Sequence, residues 1–412
     1  MTSDAKVSVV GQSKVMGGRV KPRVIVFSHK LCWPSESSPS GYASDGGFPL
    51  QMAALSELFE STTLMVPCAR IGNHAGETPL TGHRVIVAPL SNLEGAGLRR
   101  KLSLPFWFVR NAPLFVRATL RADAVHTPIP GDIGTIGMVL AFLLRKPLFV
   151  RHCGNWLVPR TLAEHFWKWF MESFAGGRIV CLATGGAPEP PSRRNGAIRW
   201  IFSTTLRSEE LLSFRARQGE AAGDHLRLII ACRQEVEKGA GIVILSLPAI
   251  LKQFPLATLD VVGDGSALDS FKQMATDLGV RDRVTFHGKV GHARVIELLQ
   301  RSHIFCYPTA ASEGFPKAVV EALACALPVI ATRVSVLPQL IGGGCGLLIE
   351  EASSAALAEA VREIWMSKTR YRELSANALD TAQQYSLEGW RDTIAGLLKV
   401  GWSRTYGDAR SV

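Results

Sequence analysis

Two glutamates separated by seven residues stand in the segment Ser312-Glu313-Gly314-Phe315-Pro316-Lys317-Ala318-Val319-Val320-Glu321-Ala322, directly behind the apolar run that ends at Thr309. Pro316 suits a first helical position because its missing N–H would have no partner there, so a helix is expected from Pro316, with Glu313 in the loop at its mouth and Glu321 on the helix. The free N–H groups and positive dipole end of such a helix make an anion site fit for a diphosphate, with sugar hydroxyls beside it. A carboxylate in the loop can accept hydrogen bonds from a sugar, and one on the helix from a ribose.

A second group lies in Leu226-Arg227-Leu228-Ile229-Ile230-Ala231-Cys232-Arg233-Gln234-Glu235-Val236-Glu237-Lys238-Gly239. A strand over Leu226–Cys232 delivers Arg233 at its carboxyl end, and Lys238 follows just before a glycine and the next helix. Ligands of open α/β sheets bind at that edge. An Arg fork and a Lys point charge suit the negative charge that grows on a departing diphosphate. In the first half, His152 with Cys153 and Gly154 ends another strand at its carboxyl edge, and Gly46-Gly47 precedes a helix starting at Phe48 as a loop whose backbone can approach phosphate. Asp264 in Asp260-Val261-Val262-Gly263-Asp264-Gly265 has no second carboxylate to form an Asp-x-Asp pair, so it reads as a turn cap and not as a metal ligand. Neither the 8 cysteines nor the 10 histidines fall at ligand spacing; His287 and His292, the nearest pair, are expected to flank a turn, and no metal site is expected.

The elements that would position these groups alternate. Short apolar, β-branched runs at 23–28, 62–67, 84–90, 124–127, 147–150, 178–183 and 198–202 are separated by helical segments. A proline- and charge-rich break at 187–196 interrupts them, and a charged helix is expected over 208–218. A second series follows at 226–232, 258–262, 283–287, 303–307 and 328–331. Alternation of this kind predicts two mostly parallel sheets covered on both faces. The expected organisation is a polar leader over 1–20 unlike a signal peptide, a first Rossmann-like domain over 21–205, a second over 206–386, and an amphipathic helix and tail over 387–412 that returns to the first domain.

Taken in this order, the pieces resemble the retaining glycosyltransferases of family 4, which have the GT-B fold of two facing Rossmann-like domains. The resemblance runs from about Arg23 to Trp402 and is strongest from Leu226 to Ile349. It implies a nucleotide-diphosphate sugar as donor and no further cofactor or metal. Arg233 and Lys238 would hold the diphosphate, Glu313 with Gly314 and Phe315 the sugar, Glu321 the ribose, and the backbone around Val290 the base. His152 would meet the sugar near its transferred carbon, and Gly46-Gly47 the phosphates. The sequence departs from the family at Phe202-Ser203-Thr204-Thr205, where an Asn-Gly turn is usual, at Gln339, often a glutamate, and at Lys317, usually apolar or small, which adds a phosphate contact or reaches solvent.

Composition narrows the partners. The chain has 412 residues, 47% of them hydrophobic, enough for two cores. The longest apolar run, 133–144, is too short to span a membrane and reads as a buried helix. Scattered cysteines without a Cys-x-x-Cys pair suit a reducing cytoplasm. Residues 1–200 hold 23 Lys+Arg against 12 Asp+Glu and residues 201–412 hold 23 of each, so the whole net charge of +11 lies in the first half. That half is expected to meet something anionic. The segment 99–110, with Phe115, Arg117 and Arg121 behind it, interleaves basic and large apolar residues and points to an anionic membrane surface and a lipid-linked or saccharide acceptor. Pro105 is expected to interrupt any helix there, and Leu104, Phe106 and Phe108 have the alternative of being core. No nucleic-acid module is recognisable. The competing readings are a nucleotide-sugar epimerase of the same fold, a transferase with a small soluble acceptor, and a catalytically silent nucleotide-sugar-binding subunit.

Overall fold

The computed structural model describes residues 21–69, 78–91, 97–154, 156–157, 159, 161–186, 189–215, 225–311 and 314–403. In the first half the order is β1 (Arg23–Phe27), β2 (Trp33–Pro34), β3 (Tyr42–Ser44), α1 (Phe48–Ser56), β4 (Ser61–Cys68), β5 (Thr78–Pro79), β6 (Val85–Ser91), α2 (Gly97–Arg121), β7 (Ala124–Ile129), α3 (Asp132–Leu143), β8 (Leu148–His152), α4 (Leu162–Phe174), β9 (Ile179–Thr184) and β10 (Arg199–Ile201). The second half runs through α5 (Ser208–Arg215), β11 (Arg227–Ala231), a 3-10 turn (Val236–Lys238), α6 (Ala240–Gln253), β12 (Thr258–Val262), α7 (Leu268–Asp277), a second 3-10 turn (Arg281–Arg283), β13 (Val284–Gly288), α8 (His292–Arg301), β14 (Ile304–Tyr307), α9 (Lys317–Ala324), β15 (Val329–Thr332), α10 (Leu337–Ile341), β16 (Gly346–Ile349), α11 (Ser354–Met366), α12 (Lys368–Gln383) and α13 (Leu387–Gly401).

The strands make two parallel sheets, ordered β10-β9-β8-β7-β1-β4-β6 and β13-β12-β11-β14-β15-β16, beside a small antiparallel ribbon of β2, β3 and β5. Away from their edge strands both large sheets are buried on both faces, which is why the central strands read as continuous apolar runs, whereas β6 and β13 at the edges are largely uncovered. In β1, Ile25 and Phe27 enter one core while Val24 and Val26 enter another. In β11, Leu228 and Ile230 face one side and Ile229 and Ala231 the other. In each sheet the winding reverses once, between β1 and β7 and between β11 and β14. The carboxyl ends of those strands flank the crevices where a ligand finds backbone groups not used by the sheet.

Helices α2, α3 and α4 pack on one face of the first sheet, and α1 with α13 on the other. The last helix therefore leaves the second sheet and returns to the first: Leu387, Trp390, Ile394, Leu398 and Trp402 share a core with Val24, Val26 and Phe149. Ser386 caps its start by accepting from the Gly389 N–H at 3.0 Å, and the Trp402 indole N–H donates to the Arg178 carbonyl at 3.0 Å.

Several expected boundaries shift. The strand at 147–150 continues through Arg151 and His152, so those two side chains belong to β8 itself. α1 runs from Phe48 to Ser56, and α5 is described only to Arg215. The strand at 346–349, the helix at 337–341 and the antiparallel ribbon had no counterpart in the sequence reading. The run at 133–144 is not a fully buried helix: α3 buries Ile133, Gly134, Gly137, Met138 and Ala141 and leaves Leu143 exposed.

Pro105 does not interrupt a helix. It lies with Pro113 inside the continuous α2, both on the exposed side, where carbonyls freed by the missing N–H groups can be hydrated. Trp107 and Phe115 are the core residues of α2, Leu104 and Phe108 pack partly against them, and Phe106 is 75% exposed. Phe106, Val109, Val116 and Leu120, spaced three, seven and four apart, form an uncovered apolar stripe with exposed Arg110, Arg117 and Arg121 alongside. Leu162, Phe166 and Trp169 on the neighbouring α4 are exposed as well. Among the described residues no helix is long and apolar enough to cross a membrane.

Candidate functional site

The second-sheet part of the site is built on β11, β14 and the start of α9. Beyond β11 the chain turns through Arg233, which is exposed, and Gln234, which is fully buried. Gln234 donates from Nε2 to the Cys232 and Val262 carbonyls at 3.0 and 2.9 Å, fixing the turn that presents Arg233. The 3-10 turn brings Lys238 to a buried position, and Gly239 follows with φ +90°. A Cβ at Gly239 would stand 2.4 Å from the Pro308 carbonyl oxygen, so only glycine lets the turn lie this close to the end of β14. The Ala310 N–H and the Thr309 hydroxyl both donate to the Glu237 carbonyl, at 2.9 and 3.0 Å. The loop that leads to the glutamate motif is thereby fastened to the turn that carries Lys238.

Helix α9 starts at Lys317, with Pro316 as its N-cap, one residue later than expected. Glu313 lies outside the described residues. Glu321 is 8% exposed on α9 and accepts from His292 Nε2 at 3.1 Å. That hydrogen bond and the carboxylate's charge hold the His292 pKa above its ordinary value against the opposing effect of burial. His287 at the end of β13 bonds Asp260 at 2.6 Å. The two histidines therefore do more than flank a turn, since each is tied to a carboxylate on a different element. Val290 sits between them, half-buried against the second core. Asp264 caps its turn by accepting from the Gly265 N–H at 2.8 Å.

Across the boundary, His152 at the end of β8 is 3% exposed, edge-on to Trp156, and burial pushes its pKa down to about 4. It is a neutral imidazole at physiological pH, able to contact an uncharged sugar. The turn behind it meets the loop before α9: a Cβ on Gly314 would lie 3.5 Å from the Gly154 carbonyl oxygen. Phe315 stacks near Phe202 and Tyr385, with ring centroids 6.1 and 5.5 Å away. Gly46 has φ +67°, and Gly47 is pressed so tightly that a Cβ would come 2.2 Å from Thr205 Cγ2 and 2.8 Å from Lys317 Nζ. The structure thus brings His152, Gly46-Gly47, Gly314, Phe315 and Lys317 to one boundary between the sheets, with Arg233, Lys238 and Glu321 at the carboxyl edge behind the loop.

Four residues take part in ways that sequence reasoning did not give them, Gln339 having been noted only as a departure from the family pattern. Arg151, 4% exposed, donates from Nη1 to Gln51 Oε1 at 3.0 Å and lies over the Trp390 ring at 5.1 Å. Gln51 in turn donates from Nε2 to Ser203 Oγ and the Thr204 carbonyl, both at 3.0 Å, so it steadies the segment that replaces the Asn-Gly turn. Gln339 meets Gly186 so closely that a Cβ there would lie 2.3 Å from its Oε1. His292 was seen only as a turn residue. A basic residue inside the apolar strand Leu148–His152 was the one visible signal for Arg151. Among the described residues no three His, Cys, Asp or Glu side chains cluster to hold a metal ion.

Comparison with known proteins places this geometry. Residues 214–381 match the family model described as glycosyl transferases group 1. The chain is 31% identical over 129 residues to the phosphatidylinositol N-acetylglucosaminyltransferase gpi3 subunit of Schizosaccharomyces pombe, a match spanning 31% of this chain and only 28% of that protein. It is 25% identical over 341 residues to the D-inositol 3-phosphate glycosyltransferase of Mycolicibacterium smegmatis, covering 72% of this chain and 73% of that one. The solved structure of Anabaena Alr3699/HepE in complex with UDP superposes with a TM-score of 0.64 at 19% identity, over 92% of this chain and 100% of that one. Over residues 214–381 the chain is similar to the group 1 glycosyl transferases, and the whole has the GT-B fold of two α/β units.

Proposed function

We propose that the protein is a metal-independent, retaining glycosyltransferase of the family 4 kind that moves a hexose-type sugar from a nucleotide-diphosphate donor to a lipid-linked or surface-polysaccharide acceptor, working at the cytoplasmic face of an anionic membrane. The observation that carries the reading is the fastening of the Arg233–Lys238 turn to the loop that opens the glutamate motif, through the Glu237 carbonyl. Fixed cations then stand beside the loop whose backbone and helix start would receive a diphosphate, where charge grows as the sugar leaves. In this reading Glu321 takes the ribose, and Glu313 with the backbone of Gly314 and Phe315 takes the sugar.

Retention fits a front-face attack in which the leaving diphosphate itself takes the acceptor proton, since the neutral, buried His152 is a poor base. Relatives whose names include phosphatidylinositol and inositol phosphate acceptors favour a phosphate-bearing or lipid-borne acceptor. The apolar stripe of α2, with Arg110, Arg117 and Arg121 beside it, favours an acidic bilayer as the surface that presents the acceptor.

The test is a screen of UDP-, GDP- and ADP-sugars for nucleotide release, with and without EDTA, followed by mass measurement of products. One donor should be consumed equally in both conditions. Turnover restored only by manganese or magnesium refutes the metal-independent chemistry. Absence of turnover with every donor, together with binding of a free nucleotide, leaves the silent-subunit reading in its place.

A further inference from the structure

Glu321, the carboxylate that takes the ribose in the reading above, is held by a residue from another helix. It is buried in the second turn of α9, and His292 Nε2 donates to its Oε1 at 3.1 Å. The two helices are fixed against each other, because Ile296, Leu298 and Leu299 of α8 share a core with Val319, Val320 and Leu323 of α9. The hydrogen bond is therefore set by packing and not by two mobile side chains meeting at a surface.

His292 is the first residue of α8, behind a glycine that offers no side-chain cap. The dipole of a helix opposes positive charge at its start, so nothing in α8 itself favours an imidazolium there. What acts on it comes from other elements. The hydrogen bond to Glu321 is the largest influence on its pKa and raises it; burial lowers it, the charges of Glu321 and of Glu210 on α5 raise it, and Lys317 at the start of α9 lowers it. From β11, which also packs on α8, the apolar Ile229 and Ala231 enter the shared core. The charged residues of α8, Arg294, Glu297 and Arg301, pair with one another. Lys317, one turn before Glu321, acts on the same carboxylate. Residues four apart on a helix are neighbours, so without His292 the carboxylate would answer to a competing cation on its own helix. An imidazole bonded to Oε1 holds it against that pull and leaves Oε2 to accept from a hydroxyl.

We infer that His292 is a positioning residue for the donor: it fixes the orientation in which Glu321 accepts from the ribose hydroxyls, acting through the carboxylate and not on the nucleotide itself. The inference rests on the assignment of Glu321 to the ribose and adds to it the residue on which that recognition depends.

The probes are UDP and GDP, each paired with its analogue lacking both ribose hydroxyls, dideoxy-UDP and dideoxy-GDP. They are titrated calorimetrically against the wild-type chain, His292→Ala, His292→Gln, Glu321→Gln and the His292→Ala, Glu321→Gln double variant. The ratio of affinities within a pair isolates the ribose, since base, diphosphate and phosphate ionisation are common to both members. The wild-type chain should prefer the ribonucleotide by about 10-fold or more, the scale of a hydrogen bond to a charged group. His292→Ala should cut that preference to about 2-fold while leaving dideoxynucleotide affinity unchanged, and His292→Gln, which keeps a donor, should restore most of it. In the Glu321→Gln background His292→Ala should change nothing further. The wild-type preference should also fall by about 3-fold between pH 6 and pH 9, as the imidazolium loses the proton that strengthens the bond, whereas that of His292→Gln should stay constant. His292 is more than half exposed, so its replacements leave the core intact. A preference untouched by His292→Ala, or a dideoxynucleotide weakened as much as the ribonucleotide, overturns the inference and leaves the two residues as a structural pair. Binding of UDP or GDP with no preference for ribose in the wild-type chain removes the roles of Glu321 and His292 together while the transferase reading stands; failure to bind either nucleotide overturns all three.

Discussion

Truncating Trp390 to alanine tests whether α13 is an integral part of the first half. The Trp390 ring is fully buried among the side chains of α1, β1 and β8, and the Arg151 guanidinium lies 5.1 Å from its centroid. Removing a buried tryptophan ring costs about 3–5 kcal/mol in lost transfer energy and residual cavity. Loss of the cation–π contact adds about 0.5–2 kcal/mol and leaves Arg151 over a void. Trp390→Ala should therefore destabilise the first half by at least about 3.5 kcal/mol. The indole N–H of Trp390 has no hydrogen-bond partner, so Trp390→Phe gives up no bond and should cost less than about 1.5 kcal/mol. Trp402→Phe is the contrast, because its indole N–H does donate, to Arg178, and its loss should cost about 1 kcal/mol beyond the change in packing. Urea unfolding followed by far-UV circular dichroism reads the first transition of each variant. A Trp390→Ala midpoint within about 1 kcal/mol of wild type, or a phenylalanine variant as damaged as the alanine one, refutes the account of how this helix is held.

Arg233→Ala and Lys238→Ala should each lower turnover by roughly 10²-fold, the scale of losing one electrostatic partner of a transition state; near-normal steady-state rates in the folded double variant remove the assignment. Gly239→Ala combines φ +90° with a backbone clash at Pro308, so it should lower the urea midpoint and reduce turnover together, and an undisturbed midpoint would show the turn to be adaptable. The His292 pKa is raised chiefly by Glu321, with Glu210 adding to it and Lys317 opposing, so its contribution to stability is fully present below the unfolded value near 6.5 and is lost as pH rises through the folded one. Because His292 is more than half exposed, solvent screening limits the contribution to a few tenths of a kcal/mol. His292→Gln should accordingly lower the thermal midpoint more at pH 6 than at pH 9, and an equal shift at both would break the coupling.

What could be read from the residues was whatever repeats locally. Runs such as Arg227–Ala231 and Thr258–Val262 are apolar on both faces and announced buried parallel strands, and the start of α9 was visible through Pro316 to within one residue. The charge-bearing turns behind β11 and β8 were placed by the same logic of strand ends. What escaped depends on contacts between distant segments. Gln51 looks like an ordinary helix residue, and Gln339 like no more than a departure from the family, until the loops they touch, at 203–204 and at Gly186, come within reach. Arg151 owes its role to α1 and α13, nearly a hundred residues before it and more than two hundred after it. Pro105 misled because proline's cost to a helix is local, whereas the burial of Trp107 and Phe115 that holds α2 together is not.

The two places where the chain passes between its halves are bonded to each other. The Leu387 N–H donates to the Leu206 carbonyl at 2.8 Å, and Ser208 donates from both its N–H and its hydroxyl to Glu388 Oε2 at 2.8 Å. Two crossings laid side by side act as one pin, which resists separation of the halves and leaves rotation as the soft direction. Phe202 and Tyr385 flank that pin, their rings 5.1 Å apart and nearly perpendicular, and both lie beside the Phe315 ring in the loop before α9. The ring cluster at the crossings therefore includes a residue of the loop before α9, so a change in that loop's position is felt first where the chain passes between its halves.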